Sequence, residues 1–230
     1  MNNSVQTQFG YVNGGLAVER QRVLRNTYWL LALSLVPTVL GAWIGVATGL
    51  FRAMSPGMSM IVFFVGAFGL MFLVEKTKES AAGVASLLAF TFFMGLMLSR
   101  LVGFVLGFKN GTSLVMTAFG GTAAVFFAMA SLATVIKRDL SSMGKFLTVG
   151  AIVLMVAGIA NFFLQSSALM LTILVLMLGV FSAFMLYDIK RVVDGGETNY
   201  ISATLAIYLD LYNIFQSLLS LLGIFGGDRD

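Results

Sequence analysis

Cysteine and histidine are absent from the 230 residues, proline occurs twice, and only 10% of positions are charged. Without cysteine there are no disulfides and no thiol nucleophile, and without histidine there is no imidazole acid–base chemistry. Zinc sites built on either residue are excluded with them. Proton chemistry is left to Asp, Glu, Lys and Tyr. The scarcity of charge is the larger constraint, since a soluble domain carries about 25%. Polar surface is too scarce to cover a globule in water. With 59% hydrophobic residues and a mean hydropathy of +0.96, the chain suits a bilayer, where apolar side chains facing lipid carry no penalty.

What is present in quantity is apolar sequence in long runs. A spanning helix needs about 20 such residues, and seven segments qualify, at 26–50, 57–75, 80–100, 111–136, 143–164, 167–190 and 199–225. The fold expected is an all-α integral membrane protein, a seven-transmembrane-helix bundle. Residues 1–22 form a polar tail, 23–225 the transmembrane domain and 226–230 a short C-terminal tail. The start lacks the short basic region and small-residue cleavage site of a signal peptide, so the first helix reads as a retained anchor. Short connectors leave no room for another domain.

Net charge is +4, but the bases sit at helix ends rather than in a nucleic-acid patch. With the N-terminus in the cytoplasm, the inner segments hold Arg20, Arg22, Arg25, Lys76, Lys78, Lys137, Arg138, Lys145, Lys190 and Arg191. The outer segments hold Arg52, Arg100, Lys109 and Arg229. Ten inner bases against four outer predict a cytoplasmic N-terminus and an external C-terminus. Gly41 with Gly45, and Gly103 with Gly107, are spaced to let helices approach closely. The run Asp194-Gly195-Gly196 ends the sixth helix, and Thr198 or Asn199 can cap the next.

Two acids interrupt apolar helices. Asp188 lies in FSAFMLYDIKRVV and Asp210 in ATLAIYLDLYNIF. A charge at mid-membrane costs about 2.5–3.5 kcal/mol on insertion scales, so such residues face protein or water and mark function by default. Asn199, Ala203, Ala206, Asp210, Asn213, Ser217 and Ser220 recur at spacings of three and four. They form a small-and-polar stripe on the seventh helix, suited to central packing or to lining a cavity. Asn213 is one turn from Asp210 and within hydrogen-bond range of it.

Counted from Val193 and Asn199, Asp188 is about 7 Å deep and Asp210 about 16 Å at 1.5 Å per residue, too far apart to bond directly. The depths match if residues 197–202, Glu197 among them, lie outside the hydrocarbon. If the carboxyls meet, both cannot stay ionised in a low dielectric and they share one proton. Protonated, they hold two helices together. Ionised, they repel and open a path for a cation such as calcium, which prefers oxygen ligands. Lys76 and Lys78 are placed to neutralise the pair, or to anchor the second helix at the inner interface.

The stretch LYDIKRVVDGGETNYISATLAIYLDLYNIFQSLLSLLG resembles the C-terminal signature of the Bax inhibitor family, the transmembrane Bax-inhibitor-motif proteins. That signature pairs an Asp in the sixth helix with an Asp in the seventh, the latter within Y-L-D-L-x-N-I-F. Asp188, Asp210 and Asn213 fall on the matching positions. GGTAAVFFAMAS and DLSSMGKFLTVGAIVLMVAGIANFFLQS extend the likeness upstream, as do LRNTYWLLALSL and FGLMFLVEKT. The details are most similar to the bacterial YccA-like branch.

The resemblance implies a bundle with the seventh helix central and a pH-sensitive calcium leak governed by the aspartate pair. It also implies binding to, or slow degradation by, the membrane protease FtsH, with the N-terminal tail as the segment grasped. One departure is Arg100, where the family often carries proline at the end of the third helix. No resident cofactor or metal is expected beyond weak calcium binding. The partners expected are lipid, calcium or protons and FtsH, with no nucleic acid.

An intramembrane aspartyl protease also places Tyr-Asp in one helix, as Tyr187-Asp188 does, and an Asp in the next. Its second Asp follows Gly-x-Gly, whereas Ile207-Tyr208-Leu209 precedes Asp210 here. With no P-loop, nucleophile elbow or zinc-helix motif either, a non-enzymatic role is expected. Matched broken helices, the mark of a coupled transporter, are not evident.

Overall fold

The structure, a computed structural model, describes residues 3–50 and 53–228, with side chains described from Val18 onward. Arg52 and Arg229, two of the outer bases, lie outside the described residues. The elements are α1 (Asn3–Thr48), α2 (Pro56–Thr77), α3 (Ala81–Leu106), α4 (Gly111–Val135), α5 (Ser141–Leu164), α6 (Ser167–Val193) and α7 (Tyr200–Gly226). All seven have stretches long and apolar enough to cross a bilayer, Val18–Thr48 in the case of α1. Bundle and helix count are as expected.

Two helix ends differ from the expected spans. Helix α1 begins at Asn3, well before the first apolar residue of its span. Helix α3 runs past Arg100 to Leu106. Proline would have broken it there. Arginine continues it, and Arg100 Nη1 donates to Ser59 Oγ at 3.4 Å, tying α3 to the first turn of α2.

Local chemistry sets the starts. Ser55 precedes Pro56, and its hydroxyl accepts from the Met58 amide. Proline suits the first helical position because its missing N–H would have had no partner there. Ser166 caps α6 in the same way through Leu169. Between α6 and α7, Gly195 takes a left-handed φ of +79°. The Gly196 and Glu197 amides then return to the Arg191 carbonyl. Asn199, rather than Thr198, caps α7 by accepting from the amides of Ile201 and Ser202 at 2.9 and 3.1 Å.

Helix α7 is the hub, packing against α1, α2, α3, α4 and α6. Its buried residues recur along its whole length, from Ile201 to Gly223. Helix α5 is peripheral and touches only α6 among the described residues. Its outer face and that of α1 present Phe146, Phe163, Trp29 and Trp43, all more than two-thirds exposed, as lipid-facing surfaces do.

Helices α1 and α3 approach with almost no space between their backbones. A Cβ on Gly41 would overlap the Phe92 carbonyl, one on Gly45 the Ser99 side chain, and one on Gly95 the Thr38 carbonyl. The expected close approach thus holds for Gly41 and Gly45. It does not hold for Gly103, whose nearest neighbour is a Val46 methyl at an ordinary 3.6 Å, and Gly107 is the C-cap of α3.

Candidate functional site

The acids come from adjacent antiparallel helices. Asp210 projects from the central helix and is 3% exposed, whereas Asp188 is half-buried. Their side chains stand within hydrogen-bonding reach of each other. Yet Asp210 Oδ2 has no hydrogen-bond partner. Both observations follow from the chemistry, because ionised carboxyls only accept. Contact between them becomes a bond when one carries a proton.

Asp188 lines a cavity of about 280 Å³ at the end of the bundle where α2 and α6 finish and α7 begins. Ala203 and Ala206 line it too, and their small side chains leave its room along the α7 stripe. The rest of the wall is charged or polar: Glu75, Lys78, Arg191, Glu197 and Ser202, with Val192. The charges are paired. Lys78 bonds Glu75, and Arg191 meets Glu197 at 3.2 Å. Ser202 Oγ donates to the other Glu75 oxygen at 3.4 Å. The hydrogen bond from Lys78 to Glu75 holds the ammonium above its ordinary pKa, with Glu197 and Glu79 adding to it.

Of the residues expected to support the pair, Glu197 lines the cavity and also accepts from the Thr198 and Asn199 amides at 3.0 Å. Asn199 does not line it but braces it. Its Nδ2 donates to the Lys78 carbonyl and to Glu79 Oε1, both at 3.1 Å, clipping the start of α7 to the end of α2. Asn213 does not bond Asp210. Its Nδ2 goes to the Leu209 carbonyl at 2.8 Å, the i−4 partner that a mid-helix amide reaches most easily. Lys76 is exposed and stands outside the cavity lining, which Lys78 joins instead.

Sequence reasoning passed over Glu75 and Arg191. Charged residues at the inner end of a spanning helix read as interface anchors, and nothing local distinguishes the ones that turn inward. Among the described residues no three acids gather as a metal site.

These features define a polytopic helical membrane protein with one acid on its central helix and another on the neighbouring α6, the latter lining a charged cavity at one end of the bundle. Residues 20–227 match the family model described as inhibitor of apoptosis-promoting Bax1. The chain belongs to that family, the Bax inhibitor family. It is 40% identical over 207 residues to the modulator of FtsH protease YccA of Escherichia coli, covering 90% of this chain and 92% of that one. An uncharacterized protein of Pseudomonas aeruginosa is 38% identical over 226 residues, covering 97% of this chain and all of the relative.

Proposed function

We propose that the chain is a pH-sensitive cation leak of the bacterial inner membrane, with Asp188 and Asp210 as its gate and calcium as the ion. The contact of the two carboxyls beside the charged cavity carries this reading. With one proton between them, they hold α6 against α7 and the way past Asp210 is shut. With both ionised, they repel at short range in a low dielectric, and the oxygens turn from each other to a hard cation. Ala203 and Ala206 give the ion room, and the paired charges of Glu75 with Lys78 and Glu197 with Arg191 keep the mouth polar. The N-terminus lies in the cytoplasm in this reading, so the cavity opens inward. No catalytic step is involved.

The test is calcium entry into dye-loaded liposomes at acid and alkaline pH, for the wild type, Asp188→Asn and Asp210→Asn. The leak reading expects flux to rise with pH in the wild type and this dependence to be lost in either variant. Wild-type flux no greater than that of empty liposomes sinks it.

A second reading is modulation of an FtsH-type protease. The observation favouring it is the 40% identity, over nearly the full length, to the relative named for that role. It needs no conduction and is compatible with the leak. It expects co-purification with the protease, weakened when residues 1–22 are deleted and kept in Asp210→Asn.

A further inference from the structure

The polar stripe of α7 does not end at Asp210. Ser217 lies seven residues further on, and Ala203 seven residues before. Seven steps of 100° return to within about 20° of the starting direction. Ala203, Asp210 and Ser217 therefore form one line, about 21 Å long at 1.5 Å per residue. The line starts at the cavity, which Ala203 lines.

Among the described residues, two side-chain polar atoms are sealed from solvent with no hydrogen-bond partner. They are Asp210 Oδ2 and Ser217 Oγ, and both stand on this line. Ser217 is also the exception among the buried serines and threonines described. Thr27, Ser34, Thr38, Thr91, Ser99, Thr122 and Thr204 each donate to a backbone carbonyl three or four residues earlier. Ser86 accepts from Thr77. Ser217 is 0% exposed and does not use the carbonyl one turn back, the ordinary outlet for a helical serine. A sealed hydroxyl without a partner bears its full desolvation penalty, and in native proteins such groups call for a water or an ion.

We propose that Ser217 is a second oxygen ligand of the passage, taking a water molecule or the hydrated cation about 10.5 Å beyond Asp210. The inference rests on the leak reading and extends it. The ion moves along α7 away from the cavity, from an anionic station at Asp210 to a neutral one at Ser217. A neutral oxygen suits the second station, because conduction requires binding weak enough to release. A hydroxyl provides a hard ligand without a second fixed charge.

The lack of native cysteine allows a direct test on the full chain in liposomes. Ser217→Cys is exposed to a small cationic methanethiosulfonate and compared with Leu219→Cys. Leu219 is equally buried at 0% but 200° further round the helix. Labelling at position 217 at least tenfold faster than at 219 is expected, and equal rates would overturn the proposal. In the flux assay, Ser217→Ala is expected to lower calcium entry several-fold while Ser217→Thr, which keeps the hydroxyl, stays near wild type. Unchanged flux in Ser217→Ala overturns the ligand role. If the wild type passes no calcium, the leak reading fails, and the labelling ratio still decides whether Ser217 meets water.

Discussion

The hydroxyl of Tyr208 meets Thr38 Oγ1 at 2.8 Å in the middle of the bundle, joining α7 to α1. Tyr208 is 1% exposed and its ring packs edge-on against Phe90 of α3. Thr38 also donates to the Ser34 carbonyl and Tyr208 to the Thr91 carbonyl at 3.4 Å, and either hydroxyl can be the donor in the bond between them. Tyr208→Phe keeps the ring and removes that bond. Interhelical bonds within membranes average about 0.6 kcal/mol and reach about 1.7. A loss in that range is expected, and Thr38→Val in the same background should add little. A double-mutant cycle on unfolding in detergent measures the coupling. Additive losses would mean that the bond contributes nothing.

The backbone contact between α1 and α3 makes a sharper prediction. The atoms that a Cβ on Gly95 would strike are the Thr38 carbonyl and Cα, which cannot rotate away. Gly95→Ala therefore forces the helices apart, and overpacking of this kind costs about 1–3 kcal/mol. Gly120, on the exposed face of α4, has nothing within 4 Å of its would-be Cβ. Gly120→Ala gains helix propensity of up to about 1 kcal/mol and should leave stability equal or higher. Opposite signs in thermal melts of the two variants are the expected result.

The spans and the two acids were legible in the sequence because lipid rewards long apolar runs and makes each interruption conspicuous. Contacts between helices were less so. Gly41 and Gly103 look alike in sequence, and only the partner, the Phe92 backbone for one and a Val46 methyl for the other, separates them. Lys76 and Lys78 likewise read as equal anchors. They differ by 200° in helical phase, which turns Lys78 to the cavity and Lys76 outward. Depth counting leaves Asp188 and Asp210 apart with Asn199 as the membrane boundary and brings them nearly level with residues 197–202 outside the hydrocarbon, and the sequence does not choose between the two. Asn199 bonds the residues that follow α2, and Ser202 sits beside Glu75. The first turn of α7 therefore belongs to the polar end, and the acids meet.

That clip is itself testable. Asn199 caps α7 with its oxygen and holds the end of α2 with its nitrogen. Asn199→Asp keeps the cap, loses the donor and sets a negative charge beside Glu79. Asn199→Ala loses both functions. Loss of a cap costs about 0.5–2 kcal/mol, so the alanine variant should melt lower than the aspartate one. If the clip shapes the cavity, both should alter labelling of a cysteine placed at Ser202. Unchanged labelling in Asn199→Asp would confine Asn199 to capping.

The turn into α5 gives a pH dependence whose sign is fixed. The Ser141 hydroxyl and amide both donate to Asp139 Oδ1, at 2.6 and 2.8 Å. The two bonds, the hydroxyl's first, hold the exposed carboxyl below its ordinary pKa, with a smaller contribution from Lys190. A carboxyl depressed in the folded state adds stability above its unfolded pKa and loses it as pH falls through the folded value. Wild type should therefore melt above Asp139→Ala at neutral pH, by an amount that stays constant down to about pH 5. The gap should narrow once pH drops below the unperturbed aspartate value of about 3.9. Melts of both proteins in detergent from pH 7 to pH 3 measure it. A gap that widens in acid would show that Asp139 is better bound protonated than ionised, the reverse of what its two donors require.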